Sequence, residues 1–297
     1  MLDAQAVRAA VPMAAAVDAV REAFLDLAAG RFVVPQRLSF GGGTTLVMSA
    51  CHTPTSTTVV KTLSLVTGRT PTILGTLVWN TAEGQIVADA IEATTLRTGA
   101  VSGVATDLLA PPDAHRLALL GTGAQAADQV RAVAAVRPVD RLAVFGRDPS
   151  RASAFADRLG REFPAMSVRV AASAADAVSD AEIVCCATSS ETPLFAVDAL
   201  PERVHVNAIG SYLPSMRELP AELLATAGCV VVDQVEAVLE EAGEVIHAVE
   251  TGLVDRASLV ELGDALRTPP EVTGRTVFKS VGLAVQDWAV ARLLGGA

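Results

Sequence analysis

The sequence predicts an α/β protein in two parts, and three observations predict it. From residue 116 onward, compact apolar runs ("RLALLG", "RLAVFGR", "VRVAA", "AEIVCCAT", "HVNAIG", "CVVVD") alternate with Ala-rich stretches of helical spacing. That is the pattern of parallel strands whose sheet is covered by helices on both faces. Before this point, short runs rich in Val, Thr, Ile and Leu ("TTLVMSAC", "TVVKTLSLV", "TILGTLVWN") are separated by Pro and Gly, which predicts an antiparallel sheet in an α+β region. The chain has 297 residues and is 51% hydrophobic, enough for two ordinary domains with a substantial core.

The elements follow in order. Val7, Val11, Ala14, Ala15, Val17, Val20, Phe24 and Leu27 recur at three- and four-residue steps and predict one helix stopped at Gly30. The strand-rich region comes next, with "TAEGQ" as a hairpin turn. "DAIEATTLRTGAVSGVATDLLA" has helical periodicity and ends at Pro111–Asp113. After the alternating region, "EAVLEEAGEV" reads as a solvated helix face. "TVFKSVGLAVQDWAVARLLGG" reads as a last helix that returns to pack on the first domain. Gly282 within it costs about 1 kcal/mol relative to Ala and points to close approach by a ligand or backbone.

Composition excludes several classes of function. A net charge of −10 without a basic stripe argues against a nucleic-acid partner, since phosphate binding needs clustered Lys and Arg. Charges interrupt the N-terminal stretch, so it lacks the apolar core of a signal peptide, and no run reaches membrane-spanning length. The expectation is a cytoplasmic protein with no membrane partner. Cys51, Cys185, Cys186 and Cys229 show no CxxC spacing and read as small core residues of a reducing compartment. His52, His115, His205 and His247 lack metal-ligand spacing, so no metal is expected.

Within "LALLGTGAQAADQV", Gly121, Gly123 and Ala126 match GxGxxG/A between an apolar strand and a helix start. The first glycine allows the tight turn, the second lets a pyrophosphate approach the backbone, and Ala126 permits close helix packing. The helix N-terminus then faces the phosphate charge. A second strand ending about 25 residues later sits at the spacing of the ribose-reading position, so a dinucleotide-binding Rossmann unit is expected. That strand ends "AVFGRD". Gly146 stands where an NAD enzyme usually carries a carboxylate, while Arg147 and Arg151 suit the extra phosphate of NADP. NADPH is therefore favoured over NADH, with Asp148 as the feature on the other side.

Three cations lie in apolar surroundings: Arg37 in "VVPQRLSF", Lys61 in "VVKTLSLV" and Arg97 in "TTLRTGA". Arg37 and Arg97 could be surface charges, and Lys61 could snorkel from a sheet edge. A buried ammonium costs several kcal/mol unless an anion pairs with it, so the three together would make a carboxylate site.

At this point the motifs "VPQRL", "VMSA", "VVKTLSLV", "LRTGAVSGVATDLLA", "LLGTGAQA", "VNAIGSYLPSMRELP" and "FKSVGLAVQD", in this order and over nearly the whole chain, resemble the ornithine cyclodeaminase and mu-crystallin family. The resemblance implies a substrate-binding and homodimer-forming domain over 1–113 and 275–297, and a Rossmann domain over 114–274. By motif, Arg37, Lys61 and Arg97 would hold a substrate carboxylate, with Met48, Tyr212 and Leu213 among the pocket walls. Thr98, Gly121, Thr122, Gly123, Ala124, Gln125, Thr188 and Ser189 would meet the cofactor, and Lys279, Ser280, Val281 and Gly282 would pass its nicotinamide end. Asp233 fits the position after the last Rossmann strand.

One departure narrows the chemistry. Where ornithine cyclodeaminases carry an Asp two residues before a proline, this chain has Tyr212 in "GSYLPSM". A phenol with a pKa near 10 is a poor base at neutral pH and no anionic partner for a δ-ammonium. The expectation is an NAD(P)H-dependent reductase of a small cyclic imino acid such as Δ1-pyrroline-2-carboxylate, with Lys61 as the catalytic candidate. The rivals are an ornithine cyclodeaminase, an alanine dehydrogenase, and a non-catalytic NADPH-dependent binder of a small ligand.

Overall fold

The computed structural model describes residues 1–41, 44–66 and 73–296; Thr72, the first residue of the "TILGTLVWN" run, lies outside them. Two compact units are formed, Met1–Val101 with Gly282–Ala297, and Ser102–Val281. The division thus falls within the helix that precedes Pro111–Asp113.

The first unit opens with α1 (Ala4–Ala10) and α2 (Met13–Ala28). The sequence pattern predicts one helix here, but Pro12 stands at the N-cap of α2 in extended conformation, lacking the N–H an unbroken helix would need. Strands β1 (Phe32–Val33), β2 (Leu38–Phe40), β3 (Thr45–His52), β4 (Thr57–Leu65), β5 (Ile73–Thr81) and β6 (Gly84–Asp89) follow. They form an antiparallel sheet in the order β1-β3-β4-β5-β6, with β2 also on β3. The expected hairpin turn joins β5 to β6, with Thr81 opposite Gly84. Helix α3 (Ala90–Leu109) leaves this sheet and runs into the second unit. Its small residues are buried on all sides, as expected of an internal helix.

The second unit is built from β7 (Arg116–Leu120), α4 (Ala126–Val136), β8 (Arg141–Phe145), α5 (Pro149–Glu162), β9 (Ser167–Val170), α6 (Ala174–Val178), β10 (Ile183–Cys186) and β11 (Val204–Ala208). It continues with α7 (Ala221–Thr226), β12 (Cys229–Val232), α8 (Val235–Glu241), α9 (Gly243–Glu250), β13 (Val260–Glu261), α10 (Leu262–Arg267) and β14 (Arg275–Lys279). The sheet order is β13-β12-β14-β11-β10-β7-β8-β9, parallel throughout. Its strands alternate between two cores: Leu117, Leu119 and Cys185 pack with α4 and α5, while Ala118, Leu120 and Cys186 pack with Val206, Val245 and Val277. This is a doubly covered α/β sheet, and the strand order reverses between β7 and β10, with β8 and β9 added on one side of β7 and β10 and β11 on the other, the position at which such sheets bind ligands.

Two expectations change. "TVFKS" is a strand, β14, inserted between β11 and β12, and the final helix, α11 (Ala284–Leu294), begins only after Gly282. Helix α11 belongs to the first unit and packs on α2 and across β3, β4 and β5. There the Trp288 indole donates to Thr57 Oγ1 at 2.8 Å and its ring contacts Phe32 and His52. "EAVLEEAGEV" is not a solvated face either, since Val238, Ala242, Glu244 and Val245 are buried.

Among the described residues no helix is long and apolar enough to cross a membrane, and no cluster of His, Cys, Asp or Glu could hold a metal ion. Within the second unit, the end of α3 is closed by Arg137. Its guanidinium donates to the carbonyls of Thr106, Asp107, Ala110 and Pro111 and to the Asp107 carboxylate, satisfying helix-terminal C=O groups that have no partner in the helix. Arg137→Met is expected to lower stability by about 3 kcal/mol, read as an earlier urea-unfolding midpoint with an unchanged slope.

Candidate active site

In the first unit the site is a cluster of charge. Lys61 lies on β4, an interior strand, and faces Met48 on β3 and Leu77 on β5 in register. It is completely buried, so it does not snorkel from an edge. Its ammonium donates to Asp287 Oδ1 of α11 at 2.8 Å. Arg97, well inside α3, places Nε 3.6 Å from the same oxygen and donates through Nη1 to Gln286 Oε1 at 2.6 Å. Gly282 has φ +89, and a Cβ there would overlap the Arg97 guanidinium. The close approach expected at this glycine is therefore that of a side chain in its own unit.

Burial, the largest influence, lowers the Lys61 pKa to about 8; Asp287 raises it, and the charges of Arg97 and Arg37 lower it. Arg37, half-buried between β1 and β2, thus acts on the same ammonium. Lys61 and Arg97 share one carboxylate, with Arg37 a third positive charge acting on Lys61, and Asp287 Oδ2 has no hydrogen-bond partner among the described residues. Such an excess of positive charge suits an anionic guest, and a carboxylate matches a guanidinium in geometry. Met48 and Thr98 are buried in the same unit.

In the second unit the glycine turn leaves β7 with Gly121 at φ +108, where a Cβ would overlap the Ala187 carbonyl at the end of β10. The space around a Cβ at Gly123 is open, and no side chain caps α4 at Gln125. Backbone N–H groups from Thr122, Gly123, Ala124 and Gln125 can therefore meet a pyrophosphate, so the turn fits a dinucleotide. At the tip of β8, Gly146 packs against Thr122. Asp148 caps α5, accepting from Ser150 N and Arg151 N at 2.9 and 3.1 Å, while the Arg147 and Arg151 side chains are exposed.

The remaining predicted residues gather at the carboxyl ends of the parallel strands. Asp233 accepts from Ser280 Oγ and from the backbone N–H of Val281 and of Gln234, tying the end of β12 to the loop after β14. Lys279 does not present its ammonium to a ligand. It is completely buried, donates to Ser211 O and Oγ, and lies 3.2 Å from Glu244. Thr188 donates its backbone N–H and hydroxyl to Glu218. Glu218 also accepts from the backbone N–H of Gly210 and Ser211, and burial pushes its carboxyl above the usual range. Ser189, Tyr212 and Leu213 are exposed on the loops after β10 and β11.

Asp287, Gln286 and Glu218 are not among the site residues expected from the sequence, and Glu244 falls in the stretch expected to be a solvated helix face. The available signal for the first two was "AVQDWAV", a polar pair within an apolar helix; a carboxylate buried there needs a cation.

A family model, the ornithine cyclodeaminase/mu-crystallin family, matches residues 1–295. The chain belongs to that family. Within it, a Δ1-pyrroline-2-carboxylate reductase of Bacillus cereus is 42% identical over 208 residues, 68% of this chain and 63% of that one. The chain thus spans just under two thirds of that relative in the match. A ketimine reductase mu-crystallin of Mus musculus is 32% identical over 222 residues, 73% of this chain and 67% of that one. A Thermococcus litoralis Δ1-pyrroline-2-carboxylate reductase, solved with NADH and L-proline, superposes with a TM-score of 0.91 at 28% identity, covering 99% of this chain and 95% of that one. The α/β architecture described above is the fold of this family member.

The two turn glycines predict different outcomes. Gly123→Ala is expected to leave the unfolding midpoint unchanged but weaken NADH binding on the order of tenfold, about 1.4 kcal/mol. Gly121→Ala is expected to lower both, since its backbone is left-handed and its neighbour is a carbonyl. Fluorescence titration beside thermal unfolding separates them.

Proposed function

We propose that the protein is an NAD(P)H-dependent reductase of a small cyclic imino acid, of which Δ1-pyrroline-2-carboxylate is the type. The observation that carries this reading is Lys61, a buried ammonium paired with Asp287 beside Arg97, its pKa lowered by burial to about 8. The names of the Bacillus and Thermococcus relatives support it.

A nicotinamide held by the glycine turn after β7 would supply the hydride for the C=N carbon. Arg97 and Arg37 pair with the substrate carboxylate and orient the ring. Lys61 would give its proton to the imine nitrogen, so that with the hydride C=N becomes CH–NH and Lys61 is left neutral. A donor with a pKa of about 8 is matched to this work, because general-acid efficiency is greatest near the operating pH. Tyr212, standing where ornithine cyclodeaminases carry an Asp, puts no carboxylate at that position for the side-chain amine of a diamino acid.

NADPH is the preferred coenzyme in this reading. Asp148 Oδ1 is committed to the first turn of α5, leaving Arg147 and Arg151 as the charged groups at the ribose position. We also infer a cytoplasmic homodimer. Four free cysteines suit a reducing compartment, and exposed Val33, Leu38 and Phe40 on β1 and β2 offer an apolar surface to a second copy.

Steady-state assays with Δ1-pyrroline-2-carboxylate, its six-membered analogue, pyruvate with ammonia, and ornithine test the reading. Imine reduction is expected, with kcat falling as pH rises through about 8, and the reverse oxidation of proline rising over the same range. Lys61→Met is expected to lose roughly 10²–10⁴-fold in kcat; full activity in that variant, or ornithine as the best substrate, overturns it. The double variant Arg147→Ala/Arg151→Ala is expected to raise KM for NADPH at least about tenfold, the equivalent of 1.4 kcal/mol, while leaving that for NADH nearly unchanged.

A further inference from the structure

Lys61 and Lys279 are the only lysines in the sequence. Both are completely buried, and each meets a buried carboxylate: Lys61 at Asp287, 2.8 Å, and Lys279 at Glu244, 3.2 Å. The two pairs differ in how far they are satisfied. Glu244 accepts from Ser211 Oγ through both of its oxygens, at 2.7 Å each. Asp287 uses only Oδ1, which serves Lys61 and faces Arg97 Nε at 3.6 Å, and Oδ2 has no hydrogen-bond partner among the described residues.

We propose that Asp287 is the positioning residue for the proton donor: from the first turn of α11 its carboxylate fixes the Lys61 ammonium in place and holds the proton for delivery. The proposal rests on the reading of Lys61 as that donor. Asp287 lies in the first turn of α11, where the helix dipole favours an anion. The charged groups facing Lys61 are Asp287 from α11, Arg97 from α3 and Arg37 from the segment between β1 and β2. Burial and both arginines favour the neutral amine, so Asp287 is the charge that opposes them. When the Nζ–H bond breaks and an N–H bond forms on the substrate nitrogen, Asp287 keeps its contact with Arg97. The neutral Lys61 then regains a proton from solvent. Asp287 acts through Lys61 and need not touch substrate.

The scarcity of lysine makes this directly measurable. Protein labelled with ¹³C at lysine Cε gives two resonances, assigned by their loss in Lys61→Arg. In the wild type the Lys61 signal is expected to titrate with a midpoint of about 8. In Asp287→Asn that midpoint is expected to fall by roughly 1–3 pH units, and the alkaline limb of kcat to move with it. An unaltered Lys279 signal reports an intact second unit. Asp287→Glu keeps the charge but moves it by a methylene; it is expected to keep a midpoint near that of the wild type and lose roughly 10²-fold in kcat, the scale of an ångström of misplacement, with KM nearly unchanged.

A Lys61 midpoint in Asp287→Asn equal to or above that of the wild type overturns the proposal. If that variant does not fold, full kcat in Asp287→Glu overturns it equally. Absence of imine reduction in the wild type sinks the function while the resonance still reports whether Asp287 holds the ammonium. An active enzyme with an unmoved midpoint sinks Asp287 alone.

Discussion

An ammonium placed in the interior of an antiparallel sheet has to be met by an anion, and in this protein the anion comes from the far end of the chain. Lys61 on β4 is answered by Asp287 on α11, and the cost of leaving such a charge unpaired is several kcal/mol. That constraint accounts for much of the first unit. It draws α11 across β3, β4 and β5, seats Trp288 on Thr57, and removes the side chain at Gly282 so that Arg97 can enter. The packing is apolar, but what selects the position of α11 is polar.

The second unit solves a different problem, the approach of a phosphate to backbone. The strand order of its parallel sheet reverses between β7 and β10, and the loops leaving those strands run so close that only glycine fits at 121. Buried carboxylates brace the neighbouring loops. Glu218 takes four donors from residues 188, 210 and 211, and Asp233 takes three from residues 234, 280 and 281. A cofactor crevice needs rigid loops, and here carboxylates rather than apolar contacts make them rigid.

What could be read in the sequence was local. The glycine turn, the continuous apolar strands of the parallel sheet and an incongruous lysine among valines each carry their meaning within a few residues. Even the grouping of Lys61 with Arg97 and Arg37 followed from the cost of burying charge. The unread features depend on distant partners. Glu244 looked solvated because it sits in an acidic run, and only the fold supplies Lys279. Asp287 was hidden by the apolar periodicity around it, which spoke for a helix and said nothing of what the helix would face. β14 merged with the helix after it because five residues are too few for a strand period to declare itself beside a longer helical pattern. The break at Pro12 was outweighed by apolar spacing that continues on both sides of it.

The first unit is discontinuous: its sheet is encoded before residue 101 and its last helix after residue 282. On a ribosome, where domains generally fold in the order they emerge, the sheet leaves the exit tunnel long before α11 exists. Until then Lys61 has no counter-ion, and the apolar faces of α2 and β4 have no cover. The enclosed second unit can close first, reversing the usual N-to-C order. The nascent chain must therefore carry an uncovered sheet through most of its own synthesis, a burden for chaperones that arises from where a single aspartate is written in the gene.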